Sequence, residues 1–183
     1  EISAERFAQM ESFASYAFNK SHAAAYAVVA YRTAYLKYFY PKEFLAGILN
    51  DRIDKIEEIS KYIAYMKEKN IEVLPPDINK SKSIFSVQGN GLRFGPGALR
   101  GVGQAPIEAV IAEREENGEF RDFADFAIRC AKHVNKRIVE SLIYAGAFDC
   151  FGHSRAQFAA VYDGVLTRVN AMDKQKAGAQ MSL

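Results

Sequence analysis

Cysteine is scarce in this chain: only Cys130 and Cys150 occur among its 183 residues. Two cysteines cannot build a disulfide framework, and no His and Cys companions stand at zinc-finger spacing, so both read as free thiols. Long apolar runs are missing as well. Nowhere do about 18 hydrophobic residues follow one another, and no basic, apolar, small-residue leader opens the chain. The sequence therefore predicts neither a membrane span nor a secretory signal, and a cytoplasmic address is the expectation. An excess of one charge sign is also absent, since 24 Lys and Arg stand against 22 Asp and Glu for a net +2. Any affinity for nucleic acid has to arise from local clusters. What remains, 49% hydrophobic and 25% charged, is the composition of a globular chain long enough for one ordinary domain or two small ones.

Hydrophobic spacing predicts a mainly α fold. Ser3 to Ala17 is helical by the recurrence of Phe7, Met10, Phe13 and Ala14. The chain thus opens inside a helical pattern and without Met, as a piece of something longer would. Ser21 is placed to cap a second helix, Ala23 to about Phe39, which is apolar nearly all round and is expected to be buried or sandwiched. Pro41 stops it and can open a short helix over Lys42 to Leu49. Asp54 to Lys69 is amphipathic, with Ile56, Ile59, Ile63 and Met66 inward and a Glu57–Lys61 pair outside, and Asn70 closes it. Ile71 to Leu74 is a short extended run. Pro75-Pro76-Asp77 forbids helix and sets the expected subdomain boundary. Ile84 to Val87 and Leu92 to Phe94 flank Gln88-Gly89-Asn90-Gly91 as a β-hairpin. Helices follow at about Pro106 to Glu115, Phe123 to Arg129, Asn135 to Ala145 with Gly146 as stop, and Ser154 to about Lys174. Ala177 to Leu183 reads as a tail.

Three segments bear on function. In the first, Ala98-Leu99-Arg100 leads into Gly101-Val102-Gly103, and Gln104-Ala105-Pro106 opens a helix: a helix-hairpin-helix pattern. Glycines let the backbone approach a phosphate, and the amide hydrogens of the next helix point at the anion, so binding would be sequence-independent and salt-sensitive. A glycine turn between packed helices is the competing reading. Arg93 and Arg100 lie nearby in sequence, and a second, degenerate pair follows around Lys136, Arg137, Gly146, Gly152, His153 and Arg155. Two stacked pairs would span both strands across the minor groove; a solvated basic face is the alternative for Lys136 and Arg137. The second segment, Asn19-Lys20-Ser21-His22, sets cations and hydrogen-bond donors at a helix N-terminus, where phosphate or triphosphate oxygens could be held. Read without context, a capping loop with a surface lysine is the favoured explanation. The third is the terminal Gln180-Met181-Ser182-Leu183.

Residues 13–27, centred on Asn19-Lys20-Ser21-His22, closely resemble the signature of the bacterial replicative DNA polymerase III alpha subunit family. Tyr31-Arg32-Thr33-Ala34-Tyr35-Leu36-Lys37, Tyr40-Pro41-Lys42-Glu43-Phe44, Val73-Leu74-Pro75-Pro76-Asp77-Ile78-Asn79, Arg93-Phe94-Gly95, Gly101-Val102-Gly103 and Ala145-Gly146-Ala147-Phe148-Asp149 resemble it too, in that family's order. The resemblance covers essentially the whole chain. It implies a segment from the C-terminal part of the fingers domain, 1–74, through a tandem helix-hairpin-helix domain, 75–176, to the start of a sliding-clamp-binding peptide, 177–183. Departures are Ser15 and Ala17 where the family often has Gly, Ala105 where Gly is common, and an unusual Pro96, which leaves the length of the leading helix open.

The resemblance further implies that Asn19, Lys20, Ser21 and His22 face the incoming deoxynucleoside triphosphate. Arg93, Arg100, Gly101, Val102, Gly103, Gln104, Lys136 and Arg137 become the duplex-binding set. Gln180, Met181, Ser182 and Leu183 would begin the peptide that docks on the sliding clamp, although the chain ends before the aromatic that usually completes it. Primer-template DNA, the clamp (beta subunit) and the other holoenzyme subunits are the implied partners, with no membrane. Polymerase chemistry needs carboxylates holding two divalent ions, and in the family these palm aspartates and their Mg2+ lie upstream of Glu1. Asp51 and Asp54 read instead as helix-entrance capping residues, and His22, His133 and His153 show no ligand spacing. The expectation is a noncatalytic segment of a catalytic subunit, with no cofactor of its own. A stand-alone helix-hairpin-helix module of a repair protein and a helical interaction scaffold are the other readings.

Overall fold

Glycine, asparagine and proline punctuate the chain where the backbone must turn, and the helices between them follow from their apolar spacing. The structure, a computed structural model, describes residues 2–15 and 20–180. It divides into two compact units, residues 1–41 and 42–183.

In the first unit the described elements are α1, Ile2–Ser15, and α2, Lys20–Phe39. Since α2 already includes Lys20, Ser21 lies within the first turn and is not the cap the sequence suggested. The expected burial of α2 is also corrected: Ala23 is half-buried and every other residue is exposed. With apolar side chains all round, no single stripe is available to face a core. Its rings lie against one another along one side, Tyr35 with its centroid 4.5 Å from Phe39 and 6.4 Å from Tyr31.

The second unit begins with α3, Pro41–Asp51, which has proline in its first turn, and α4, Ile56–Glu68. Asn70 ends α4 at φ 55°. Its amide donates to the Lys67 carbonyl at 3.1 Å and that of Ile71 to Met66 at 2.9 Å, closing the two-bond C-terminal motif that left-handed residues permit. Ile59 and Met66 face inward, but Ile56, in the opening turn, is exposed. Glu58 rather than Glu57 takes the ion pairs, with Arg52 and with Lys55 at 3.7 Å. Asp51 closes α3 and Asp54 precedes Lys55, the residue at the N-cap, which makes no side-chain cap bond; neither aspartate caps a helix.

β1, Glu72–Leu74, β2, Ser86–Gln88, and β3, Gly91–Arg93, form a sheet of order β1-β3-β2. The hairpin β2–β3 is the expected one, turning at Gly89 and Asn90, with Gly89 at φ 57°. The parallel pairing of β1 with β3, Glu72 opposite Gly91, was not legible as more than an extended run. Leu45, Leu49, Ile59, Met66, Phe85 and Leu92 form the hydrophobic cluster shared by α3, α4 and the sheet.

Beyond Gly95 come α5, Gln104–Asn117, α6, Phe123–Cys130, α7, Lys136–Ala145, and α8, Arg155–Gln180. Asp122 caps α6 by accepting from the Asp125 amide at 2.8 Å, and Asn135 caps α7 by accepting from Ile138 at 3.0 Å. A second cluster, with Phe126, Phe148, Leu142 and Ile143 at its centre, packs these four helices together. α8 runs to Gln180, so the segment read as a tail is helical over its first residues, and Met181, Ser182 and Leu183 lie outside the described residues. Burial pushes the Cys130 thiol up to about 12, and partial desolvation of the Cys150 thiol, on a residue exposed overall, pushes it up to about 11, so both are protonated near neutrality.

One arginine ties α5, α6 and the loop between them. Arg129 donates to Glu113 Oε1 at 3.0 Å, to Asp125 Oδ2 at 3.3 Å and to the carbonyls of Glu113 and Gly118 at 3.0 and 2.9 Å. Its guanidinium also sits 4.4 Å from the Phe120 ring centroid. The hydrogen bond from Arg129 holds the Glu113 carboxyl below its usual value. For Asp125, burial pulls upward, but the Arg121 amide and Arg129 outweigh it, so this carboxyl is also held low.

Three changes test this packing. Phe126→Ala should cost about 3–5 kcal/mol by emptying a fully buried site. Asn79→Ala, which removes a two-way bond to the Phe120 backbone, should cost about 1–3 kcal/mol; urea denaturation of the chain measures both. Glu113 and Asp125 bind protons less readily folded than unfolded, so they stabilise the fold above the ordinary values of 4.5 and 3.8 and lose that contribution as pH falls below them. Arg129→Met should flatten that acid-side loss in a pH series of melting curves.

Candidate nucleic-acid interface

The first hairpin begins from a single 3-10 turn, Pro96–Ala98, in place of a leading α-helix. Proline at its start has no amide hydrogen to give, and the chain is extended again at Leu99. Gly101 and Gly103 then take φ 82° and 78°, the left-handed values that favour glycine. Gly103 is the N-cap of α5 and has no side chain to bond the first amides, while Pro106 removes one donor from that turn. The amides of Gln104 and Ala105 are left at an exposed helix start with no acidic residue in the first turn. Val102 does the opposite job, buried at 4% exposure in the cluster beneath.

The next helix-hairpin-helix pair reaches back to this hairpin. Arg137, in the first turn of α7, lays its guanidinium over Gly101, where a Cβ would stand 2.8 Å from Nε. One turn on, Ser141 Oγ donates to the Arg100 carbonyl at 3.3 Å. The start of α7 carries Lys136 and Arg137 and no acid, an arrangement that opposes the helix dipole and is relieved by an anion. Lys136, however, is paired with Asp163 at 2.9 Å and lies 5.3 Å from the Tyr162 ring centroid; its hydrogen bond to Asp163 raises its pKa. Arg100 and Gln104 are exposed.

Arg93 is not part of this surface. It is 9% exposed and donates to the Pro75 carbonyl at 2.7 Å and to Gln88 Oε1, so its charge braces β3 against the Pro-Pro segment. A reading from sequence places it near the hairpin because only seven residues lie between Arg93 and Gly101; the partners that bury it lie on other segments and leave no local signal. Ser141 was missed, although its position four after Arg137 puts both on one helix face.

In the second hairpin Gly146 ends α7 at φ 86°, a 3-10 turn spans Asp149–Phe151, and Gly152 at φ 76° leads to α8. Arg155 folds back over Gly146, donating to Asp149 through Nε at 3.2 Å and Nη2 at 2.7 Å and to the Tyr144 carbonyl at 3.0 Å.

In residues 1–41, Lys20, Ser21 and His22 are exposed in the first turn of α2, with the His22 ring 4.4 Å from Tyr26, and that turn has no acidic residue. Asn19 lies outside the described residues. Gln180 is the last residue of α8, and the rest of the terminal tetrapeptide is not described. Among the described residues no three His, Cys, Asp or Glu come together to hold a metal ion. None of the described helices is long and apolar enough to cross a membrane.

A helix-hairpin-helix motif family matches residues 70–158, from the end of α4 to the start of α8. DNA polymerase III subunit alpha of Chlamydia muridarum (strain MoPn / Nigg) is 44% identical over 172 residues, 93% of this chain and 14% of that protein. The protein of the same name from Vibrio cholerae is 45% identical over 168 residues, and that from Haemophilus influenzae 40% over 185 residues, covering 14% and 16% of their lengths. The chain therefore spans a small part, 14% to 16%, of the curated relatives it matches. Over nearly its whole length, then, the chain is similar to one segment of the DNA polymerase III alpha subunits, and the match to a helix-hairpin-helix motif lies within that segment.

Proposed function

We propose that this chain is the part of a bacterial replicative DNA polymerase that holds the duplex by its backbone behind the growing end. In this reading residues 1–74 are the C-terminal part of the fingers, 75–176 a tandem helix-hairpin-helix domain, and 177–183 the start of a sliding-clamp-binding peptide. The observation that carries it is the seating of Arg137 on Gly101, which sets a guanidinium beside the uncapped start of α5. Such a surface suits phosphodiester oxygens, and contacts to the backbone carry no base information, so binding through them would be indifferent to sequence. The match to alpha subunits along the chain favours this over a free-standing repair module or a scaffold.

Asn19, Lys20, Ser21 and His22 serve the incoming nucleotide in the same reading, and Gln180 to Leu183 belong to the clamp contact. Primer-template DNA, the clamp and the remaining holoenzyme subunits are the partners, in the cytoplasm. Polymerisation belongs to the whole subunit, whose palm carboxylates would hold Mg2+; this chain supplies grip and positioning.

Fluorescence anisotropy of a labelled primer-template duplex tests the grip. Affinity should fall by about 10^3 or less between roughly 50 and 200 mM salt, as expected for a few phosphate contacts, and should not depend on sequence. Arg100→Ala and Arg137→Ala should each weaken it by about tenfold, the worth of one charge-assisted bond. Lys136→Ala should do less, because Asp163 already holds that charge. Affinity that is flat in salt, or unaltered by Arg137→Ala, would exclude the proposed surface. In a primer-extension assay with Mg2+ and all four nucleotides, the purified chain should add nothing; extension would refute its noncatalytic assignment.

A further inference from the structure

The two hairpins solve one steric problem with opposite electrostatic results. At both, a glycine with positive φ leaves room for an arginine guanidinium above it: Arg137 over Gly101 and Arg155 over Gly146. A Cβ at Gly146 would collide with Arg155 Nη2 and stand 2.7 Å from Asp149 Oδ2. The difference is the carboxylate. Asp149 meets Arg155 in a two-pronged arrangement, Nε to Oδ1 and Nη2 to Oδ2, which is also how a guanidinium takes two phosphate oxygens. Among the described residues Arg137 has no carboxylate within 4.0 Å, so its guanidinium is unmatched by an acid.

Resting on the duplex-binding reading above, we infer that Asp149 is a built-in phosphate substitute: it fills the anion seat of the second hairpin, so that DNA is held at the first hairpin while the second stays closed. Arg155 and Asp149 are about half exposed, at 48% and 44% of their side-chain surface, so a phosphodiester could reach the guanidinium once the carboxylate is gone. The site released takes a phosphodiester of the duplex backbone and no particular base. The tandem motif then grips asymmetrically, by one hairpin and the α7 arginine that roofs it.

The test titrates a fluorescein-labelled duplex of mixed sequence with this chain and its variants between about 50 and 200 mM salt. Asp149→Asn, which keeps the side-chain shape and removes the charge, should bind about three- to tenfold more tightly, with a salt slope steeper by about 0.9 for one added phosphate contact. Adding Arg155→Gln should abolish that gain, with far-UV circular dichroism confirming that the double variant is folded. Asp149→Ser provides the same charge removal should Asn disturb the 3-10 turn. Folded Asp149 variants that bind no more tightly than the parent, or whose gain survives loss of Arg155, overturn the inference and leave the first-hairpin reading intact. A parent chain that binds no duplex at the lowest salt removes both.

Discussion

The segment from Pro75 to Ser83 has neither helix nor strand, yet both hydrophobic clusters of residues 42–183 are fastened to it. Its polar backbone runs through partly buried space and must find partners there. Ile78 is buried among the hairpin helices and its amide bonds the Ala147 carbonyl at 2.8 Å. Asn79 imitates a peptide group, donating to the Phe120 carbonyl and accepting from its amide, both at 2.9 Å. Arg114 closes on the carbonyls of Ile78 and Ser81 from α5. Toward the sheet, Ser81 Oγ donates to the Phe94 carbonyl at 3.1 Å, Gly97 donates to the Ser83 carbonyl at 2.9 Å, and Arg93 reaches Pro75. Asp77 holds the turn itself, its side chain accepting from the Asn79 amide at 2.8 Å. Two prolines narrow the unfolded alternatives of the same stretch. The loop is thus a joint held by hydrogen bonds together with the burial of Ile78.

Much of the structure that depends on neighbours in sequence was announced by the residues, with Ser21, Asp51, Asp54 and Glu57 as exceptions. Asn70 and Gly146 supply left-handed backbone at helix ends, Asn135 caps α7, and Gly89 turns a hairpin, each through a bond reaching only a few residues. The hairpin glycines were legible for the same reason. Illegible were contacts between remote residues. Nothing beside Arg93 reveals that Pro75 and Gln88 will bury it, and nothing in Glu72 to Leu74 reveals a parallel partner at Gly91 to Arg93. The exposure of α2 belongs with these, because an all-apolar helix promises a neighbour without saying where that neighbour is. In the site, Arg137 could be suspected as a cation; that it would roof a glycine of the other hairpin could not.

Four cations of the hairpin region are matched by carboxylates. Lys136 is taken by Asp163, Arg155 by Asp149, Arg129 by Glu113 and Asp125, and Arg121 by Asp125. A chain with a net charge of only +2 can still present a local positive surface where cations such as Arg100 and Arg137, among the described residues, have no carboxylate beside them. An anion approaching such a surface meets a focused field at the Gly101 turn instead of a diffuse one.

The single 3-10 turn ahead of the first hairpin has a mechanical meaning. A full leading helix would act as a spacer, insulating the Gly101 turn from whatever precedes it. Here seven residues lie between Arg93, at the end of β3, and Gly101, and within them Gly97 is bonded to Ser83. The Gly101 turn is thus tied to β3 by a short, bonded segment, and Leu92 of β3 packs in one cluster with side chains of α3 and α4.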